Sequence, residues 1–188
     1  DALHAARNGL KLYLAGMLGA AFKTCYASLA PDGPYRPDTA DAGQRALRNV
    51  CLAYLAEPDT PAAREMAWRQ FASADNMTDQ FASLAILAQC EGPERARALA
   101  AFHDRWQHEA LVLDKWLSVQ AMSRRPGTLA EVQRLAGHTA FDLRNPNKVY
   151  ALIRGFGANH VRFHAADGAG YRFIAAQILA LDAINPQV

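Results

Sequence analysis

Ala110-Leu111-Val112-Leu113-Asp114-Lys115-Trp116-Leu117-Ser118-Val119-Gln120-Ala121-Met122 decides how this chain is built. Leu113, Trp116, Leu117 and Gln120 recur at helical spacing and share one face of a helix. Val112 and Val119 lie off that face. A helix that is apolar most of the way round is packed on two sides. Such a helix suits the inner layer of a superhelix, or a piece of a larger protein.

The same periodicity recurs before and after it. Leu10, Leu14, Met17, Leu18, Ala21 and Cys25 form one stripe, and Leu47, Val50, Cys51 and Tyr54 another. Phe81, Leu84, Ala85 and Ala88 form a third, and Tyr171, Ile174, Ile178 and Leu181 a fourth. Sustained period-two alternation is lacking, so strands are not expected. Thr60 before Pro61, Asn76 with Asp79, and Asn145 before Pro146 read as helix starts. Thr128 with Glu131 reads as a capping box. Gly92-Pro93 and Pro126-Gly127 are breaks, and Pro31 to Thr39, with its three prolines, is the longest irregular stretch of the first half. Together these signals predict about eight or nine helices with short links. A compact bundle and an α-solenoid of stacked pairs both fit. No strict repeat is visible, so a solenoid would be an irregular one.

A chain of 188 residues is one domain or a large fragment, long enough to bury a core without disulfides. With 51% apolar and 20% charged residues, the composition is that of a soluble globular protein. The net charge of +2 is spread out and gives no basic patch for nucleic acid or an anionic membrane. The apolar run from Leu12 to Phe22 falls short of the about 20 residues that span a bilayer. Cys25, Cys51 and Cys90 are odd in number, far apart in sequence and set in apolar helical contexts, which reads as free buried thiols in a reducing compartment. The first residue is Asp1 rather than Met, a hint that the chain is cut from something larger.

The residues that tempt a catalytic reading are incomplete. His108-Glu109-Ala110-Leu111-Val112 begins like the zinc motif H-E-x-x-H, but Val112 stands where the second imidazole must be. A polar turn at a helix junction accounts for it. Asp104 and His108, with His103 beside them, read as a solvated face carrying a helix ion pair. Phe163-His164-Ala165-Ala166-Asp167-Gly168-Ala169-Gly170-Tyr171 sets a glycine-rich turn before a helix, where Asp167 acts as cap and would repel a phosphate. His164 has no nucleophile at a suitable spacing and reads as a corner histidine. Trp68, Trp106 and Trp116 read as core anchors, and Arg124-Arg125 as partners of a helix C-terminus.

Several stretches, in order, carry a family resemblance. They are Asn76-Met77-Thr78-Asp79, Leu111-Val112-Leu113-Asp114-Lys115-Trp116, Phe141-Asp142-Leu143-Arg144-Asn145-Pro146-Asn147, the Phe163 to Tyr171 stretch, and Asn185-Pro186-Gln187-Val188. Arg48-Asn49 with Cys51-Leu52 is similar too. The series resembles the C-terminal helical domain of bacterial alanyl aminopeptidases of the aminopeptidase N type, the M1 gluzincin zinc metallopeptidases. The resemblance implies an all-α fold over residues 1–188, with antiparallel helix pairs in an irregular HEAT- or armadillo-like superhelix. The family's superhelix continues past Val188, so a truncated C-terminal end with an exposed apolar edge is expected. The resemblance also implies a parent enzyme that removes N-terminal residues from peptides. Its Zn²⁺ would be held by an upstream H-E-x-x-H helix and a later Glu, so this fragment is expected to hold no catalytic residue, metal ligand or cofactor.

The implied role is to enclose the active-site chamber and shape peptide access. The implied partners are the catalytic domain of the same polypeptide and, through the parent, a peptide substrate; no nucleic acid and no membrane are expected. Self-association of the fragment and a bacterial cytoplasmic location complete the expectation. Two chamber-lining candidates follow from the resemblance. Gln187 matches a residue near the far side of the bound peptide. Tyr150 stands where relatives carry Arg, and a tyrosine cannot supply a fixed cation to a peptide carboxylate. The rival reading is a free-standing HEAT-like scaffold that binds proteins on a concave face. A small metalloenzyme built on His103, Asp104 and His108 is a third reading, short of a ligand set.

Overall fold

The structure is a computed structural model that describes residues 2–187. Among them the regular structure is entirely helical: α1 (Ala2–Ser28), α2 (Thr39–Ala56), α3 (Pro61–Ser73), α4 (Met77–Leu87), α5 (Pro93–Trp106), α6 (Ala110–Ala121), α7 (Thr128–Ala136), α8 (146–157), α9 (His160–Phe163) and α10 (Ala169–Asp182). The short α9 takes the number just past the expected eight or nine. The start signals act as read. Thr60 Oγ1 accepts from the Ala63 N–H at 3.2 Å, Asn76 Oδ1 from Asp79 at 2.9 Å, and Asn145 Oδ1 from Asn147 at 3.0 Å. Each cap satisfies an amide that the helix itself leaves open. Thr128 differs. The helix begins on it rather than after it, and its hydroxyl donates back to the carbonyls of Ser123 and Arg125, both at 2.8 Å. The expected capping box is therefore not formed.

The chain divides into two compact units, one ending at Ala98 and one beginning at Leu99. In the first, α1 and α2 run antiparallel. Phe22 stacks on Tyr54 with ring centroids 4.9 Å apart, while further along α1 the Arg48 guanidinium covers Tyr26 at 4.3 Å. A polar chain ties the next helices in: Tyr26 donates to Gln70 Oε1 (3.0 Å), Gln70 Nε2 to Asn49 Oδ1 (2.6 Å), and Asn49 Nδ2 to Asp79 Oδ1 (2.8 Å). Gln70 and Asp79 are buried, so each such bond prevents an unsatisfied group. Contacts along α3 and α5 advance together, Arg64 to Glu94 and then Trp68 to Arg97, so these two helices run parallel. That is the signature of a stacked pair: a helix lies beside its counterpart in the next pair. The offset is 30 residues for both Asn49–Asp79 and Arg64–Glu94.

The second unit stacks in the same manner. Lys148 Nζ donates to the Ala110 carbonyl at 2.9 Å, and Asn159 Nδ2 to the Ala121 carbonyl at 3.0 Å, each across 38 residues. So α6 and α8 are parallel, and α7 packs against both. As expected, α6 is buried on more than one side: Leu113, Trp116, Leu117, Val119, Gln120 and Ala121 are all buried. Trp116 Nε1 donates to the Leu99 carbonyl at 2.9 Å. Two apolar stripes lie differently from the sequence reading. Ala15 is the buried residue of α1, whereas Leu10 and Met17 are 58% and 66% exposed. In α10 the buried face is Gly170, Phe173 and Leu181, while Tyr171 and Ile178 face outward.

Candidate functional site

The two candidate positions lie in the second unit. Tyr150 opens a π-helical stretch, Tyr150–Arg154, inside α8. Its side chain is exposed, and the Arg154 guanidinium lies 5.7 Å from its ring centroid. A π turn inserts one residue into a helix and is frequent at functional sites. The turn is held from both ends. Below it, Lys148 is buried and pairs with Asp114 Oδ1 at 2.8 Å in addition to its bond to Ala110. Beyond it, buried Asn159 also donates to the Ser123 carbonyl at 2.7 Å, and Arg162 Nε donates to the Arg124 carbonyl at 2.6 Å. These groups close the carbonyl end of α6. The site thus combines an exposed aromatic with a stacked cation on a braced helix, a pair that can bind a planar or anionic group.

Gln187 is exposed beyond α10, where its own N–H donates to Asn185 Oδ1 at 3.1 Å. Among the described residues no hydrogen bond links it to Tyr150. Val188, the last residue of that motif, lies outside the described residues. The Lys148–Asp114 pair and the Tyr150–Arg154 stack were not read from the sequence. An Asp in a largely apolar helix was the available signal for the first.

The tempting polar residues fall apart or into structural duty. α5 ends at Trp106, so His108 and Glu109 sit in the junction before α6 and Asp104 has no helical partner at His108. His103 instead joins an aromatic cluster, 4.8 Å from Trp116 and 5.3 Å from His138 between ring centroids. His138 Nδ1 accepts from the Ala140 N–H at 3.0 Å, which requires an unprotonated ring nitrogen. Burial first, then His103 and Arg134, hold the His138 imidazole below its ordinary value. His164 Nδ1 shares a hydrogen bond of 2.5 Å with the Tyr171 hydroxyl. Asp167 Oδ1 accepts from the Ala169 N–H at 2.9 Å beside the left-handed Gly168 (φ 67°), the corner expected there. Among the described residues no three His, Cys, Asp or Glu side chains could hold a metal ion together. His108 and Glu109 next to Val112 do not fit a zinc site. No helix among the described residues is long and apolar enough to cross a membrane.

Within each unit the helices stack in pairs, as in armadillo- and HEAT-type domains. The family model described as "Domain of unknown function (DUF3458_C) ARM repeats" matches residues 1–188, and the chain belongs to that family. It is 40% identical to Aminopeptidase N of Caulobacter vibrioides over 188 residues, which is 98% of this chain and 22% of that protein. It is 39% identical to Aminopeptidase N of Escherichia coli over 155 residues, 82% of this chain and 18% of the other. For the Haemophilus influenzae Aminopeptidase N the figures are 33% over 189 residues, 100% and 21%. A crystal structure of Legionella pneumophila aminopeptidase A in complex with aspartic acid superimposes with a TM-score of 0.88 at 33% identity, covering 98% of this chain and 23% of that one. The chain therefore spans about a fifth of the length of these relatives. The family resemblance carried by the ordered motifs, and the all-α solenoid class, both hold.

Proposed function

We propose that this chain is the non-catalytic helical domain of an M1 zinc aminopeptidase, one that encloses the active-site chamber and shapes the entry of peptides. The observation that carries the reading is likeness to Aminopeptidase N at 33–40% identity along essentially the whole chain. The catalytic domain of the same polypeptide is its partner, and the Zn²⁺ belongs to that domain. The free thiols fit a bacterial cytoplasm. Tyr150 and Gln187 line the chamber on this reading. Arg154, over the Tyr150 ring, supplies a cation one helical turn beyond the position where the family resemblance implies an Arg.

The test is steady-state kinetics of the full-length protein on alanyl peptides of increasing length, beside a small alanyl anilide. Tyr150→Ala and Gln187→Ala should raise KM for the longer peptides about three- to tenfold, the loss of one or two polar contacts. The anilide should be turned over as before. Equal effects on anilide and peptide, or none on either, would remove both residues from the chamber. Absence of any alanyl hydrolysis by the full-length protein would favour the scaffold reading instead.

A further inference from the structure

The antiparallel register of α1 and α2 brings two cysteines together that lie far apart in the sequence. Phe22 stacks on Tyr54. One helical turn on in α1 and one turn back in α2 stand Cys25 and Cys51. The Cys25 thiol is near enough to Cys51 to act, after burial, on its titration. Arg48 over Tyr26 continues the same register. The two thiols differ in access: Cys51 is 2% exposed, while Cys25 is only half-buried. This departs from three separate buried thiols. Cys90, the third, is buried in the link after α4.

From this juxtaposition we propose that Cys25 and Cys51 form a reversible disulfide, with a small-molecule disulfide of the glutathione class as oxidant. Cys25, the more accessible sulfur, attacks one sulfur of oxidised glutathione as its thiolate. The protein–glutathione disulfide forms and one glutathione thiolate leaves. Cys51 then loses its proton and attacks the Cys25 sulfur. The Cys25–Cys51 bond forms, the second glutathione leaves as thiolate, and the two thiolates take up the two protons released. Two protein thiols are oxidised and one glutathione disulfide is reduced to two glutathiones. Burial, then the neighbouring Cys25 thiol, push the Cys51 thiol up to about 11. The closing step is accordingly slow at neutral pH and quickens as pH rises, because the thiolate is the nucleophile. In a reducing compartment the pair stands as two thiols and closes under oxidative load. Once closed, it staples the end of α1 to the middle of α2 and fixes the 29–38 loop from both sides.

The experiment poises the full-length protein at a series of oxidised-to-reduced glutathione ratios, alkylates the remaining thiols, and maps peptides by mass without reductant. The expected product is a Cys25–Cys51 peptide two hydrogens lighter than its reduced parts, with Cys90 alkylated throughout. The urea midpoint should rise on closure, Cys51→Ser should stop at the Cys25–glutathione adduct, and Cys90→Ser should change nothing. Wild-type mapping decides the matter even if a variant fails to fold. The proposal is overturned if both thiols stay alkylatable at the most oxidising ratio. It is equally overturned if wild-type Cys25 stops at the glutathione adduct, or links to Cys90 or to a second molecule.

Discussion

Replacing Lys148 with alanine leaves the Asp114 carboxylate in a largely buried place with no counter-charge. Breaking such a pair from one side should cost about 2–4 kcal/mol in urea unfolding, since Asp114 keeps some solvent. Lys148→Met combined with Asp114→Leu should recover most of that loss, because a buried pair contributes little net stability beyond an apolar substitute. His138 makes a different prediction. Its imidazole is held below the ordinary histidine value of 6.5 in the folded chain, so the unfolded chain binds the proton more readily. Stability is then fully present above that value and is lost as pH falls below it towards the depressed folded value. The groups that face it are His103, Trp116 and Arg134. Thermal melts should show a falling midpoint on acidification through this window. His138→Gln, which keeps an acceptor for the Ala140 N–H, should flatten the fall. A midpoint equally steep in the variant would place the pH sensitivity elsewhere.

Helices fail where their ends or close approaches fail. A Cβ on Gly170 would collide with the Phe163 carbonyl, and backbone cannot give way as a side chain can. Gly170→Ala should destabilise by about 2–4 kcal/mol, measured by urea unfolding. Asn159→Ala should cost about 1–3 kcal/mol by removing the donor to the Ala121 carbonyl and one of the two donors to the Ser123 carbonyl, which keeps the Thr128 hydroxyl. The close approach at Gly170 also explains what could be read in advance. In α6 the buried face follows the apolar spacing, because large side chains do the packing there. In α10 the face turns inward on a glycine, which a hydrophobic pattern gives no weight, so Tyr171 and Ile178 were expected inside and lie outside. Thr128 misled for another reason. The turn at Pro126-Gly127 carries it one position into the helix, where its hydroxyl serves the carbonyls before it.

The stacking of the pairs was legible as a class and not as a period. Equivalent contacts lie 30 residues apart in the first unit and 38 in the second, so no fixed repeat could appear in the sequence. The candidate site was read only in part from the sequence, and by resemblance. Tyr150 and Gln187 could be picked by resemblance, whereas the π turn and the Arg154 stack depend on contacts made from α6 and have no local sequence signature. The amphipathic stripe of α1 was readable, but a stripe does not say what covers it. Leu10, Tyr13 and Met17 are open, as are Ile178 and Leu179 of α10. The isolated 188-residue chain should self-associate through such surface, with sedimentation velocity showing larger species as concentration rises. Leu10→Glu with Met17→Glu should shift it towards monomer; unchanged sedimentation would clear α1 of the role.

The extra residue between Tyr150 and Arg154 has nowhere to go, since Lys148 anchors the chain before it and Asn159 after it. Excising Ala151 would restore an ordinary α-helical winding, with one residue fewer between Tyr150 and Arg154, and so change how the two side chains face each other. The ring would then part from the guanidinium while both anchors stayed put. An insertion tolerated at this spot thus sets the aim of a side chain without disturbing the framework that carries it.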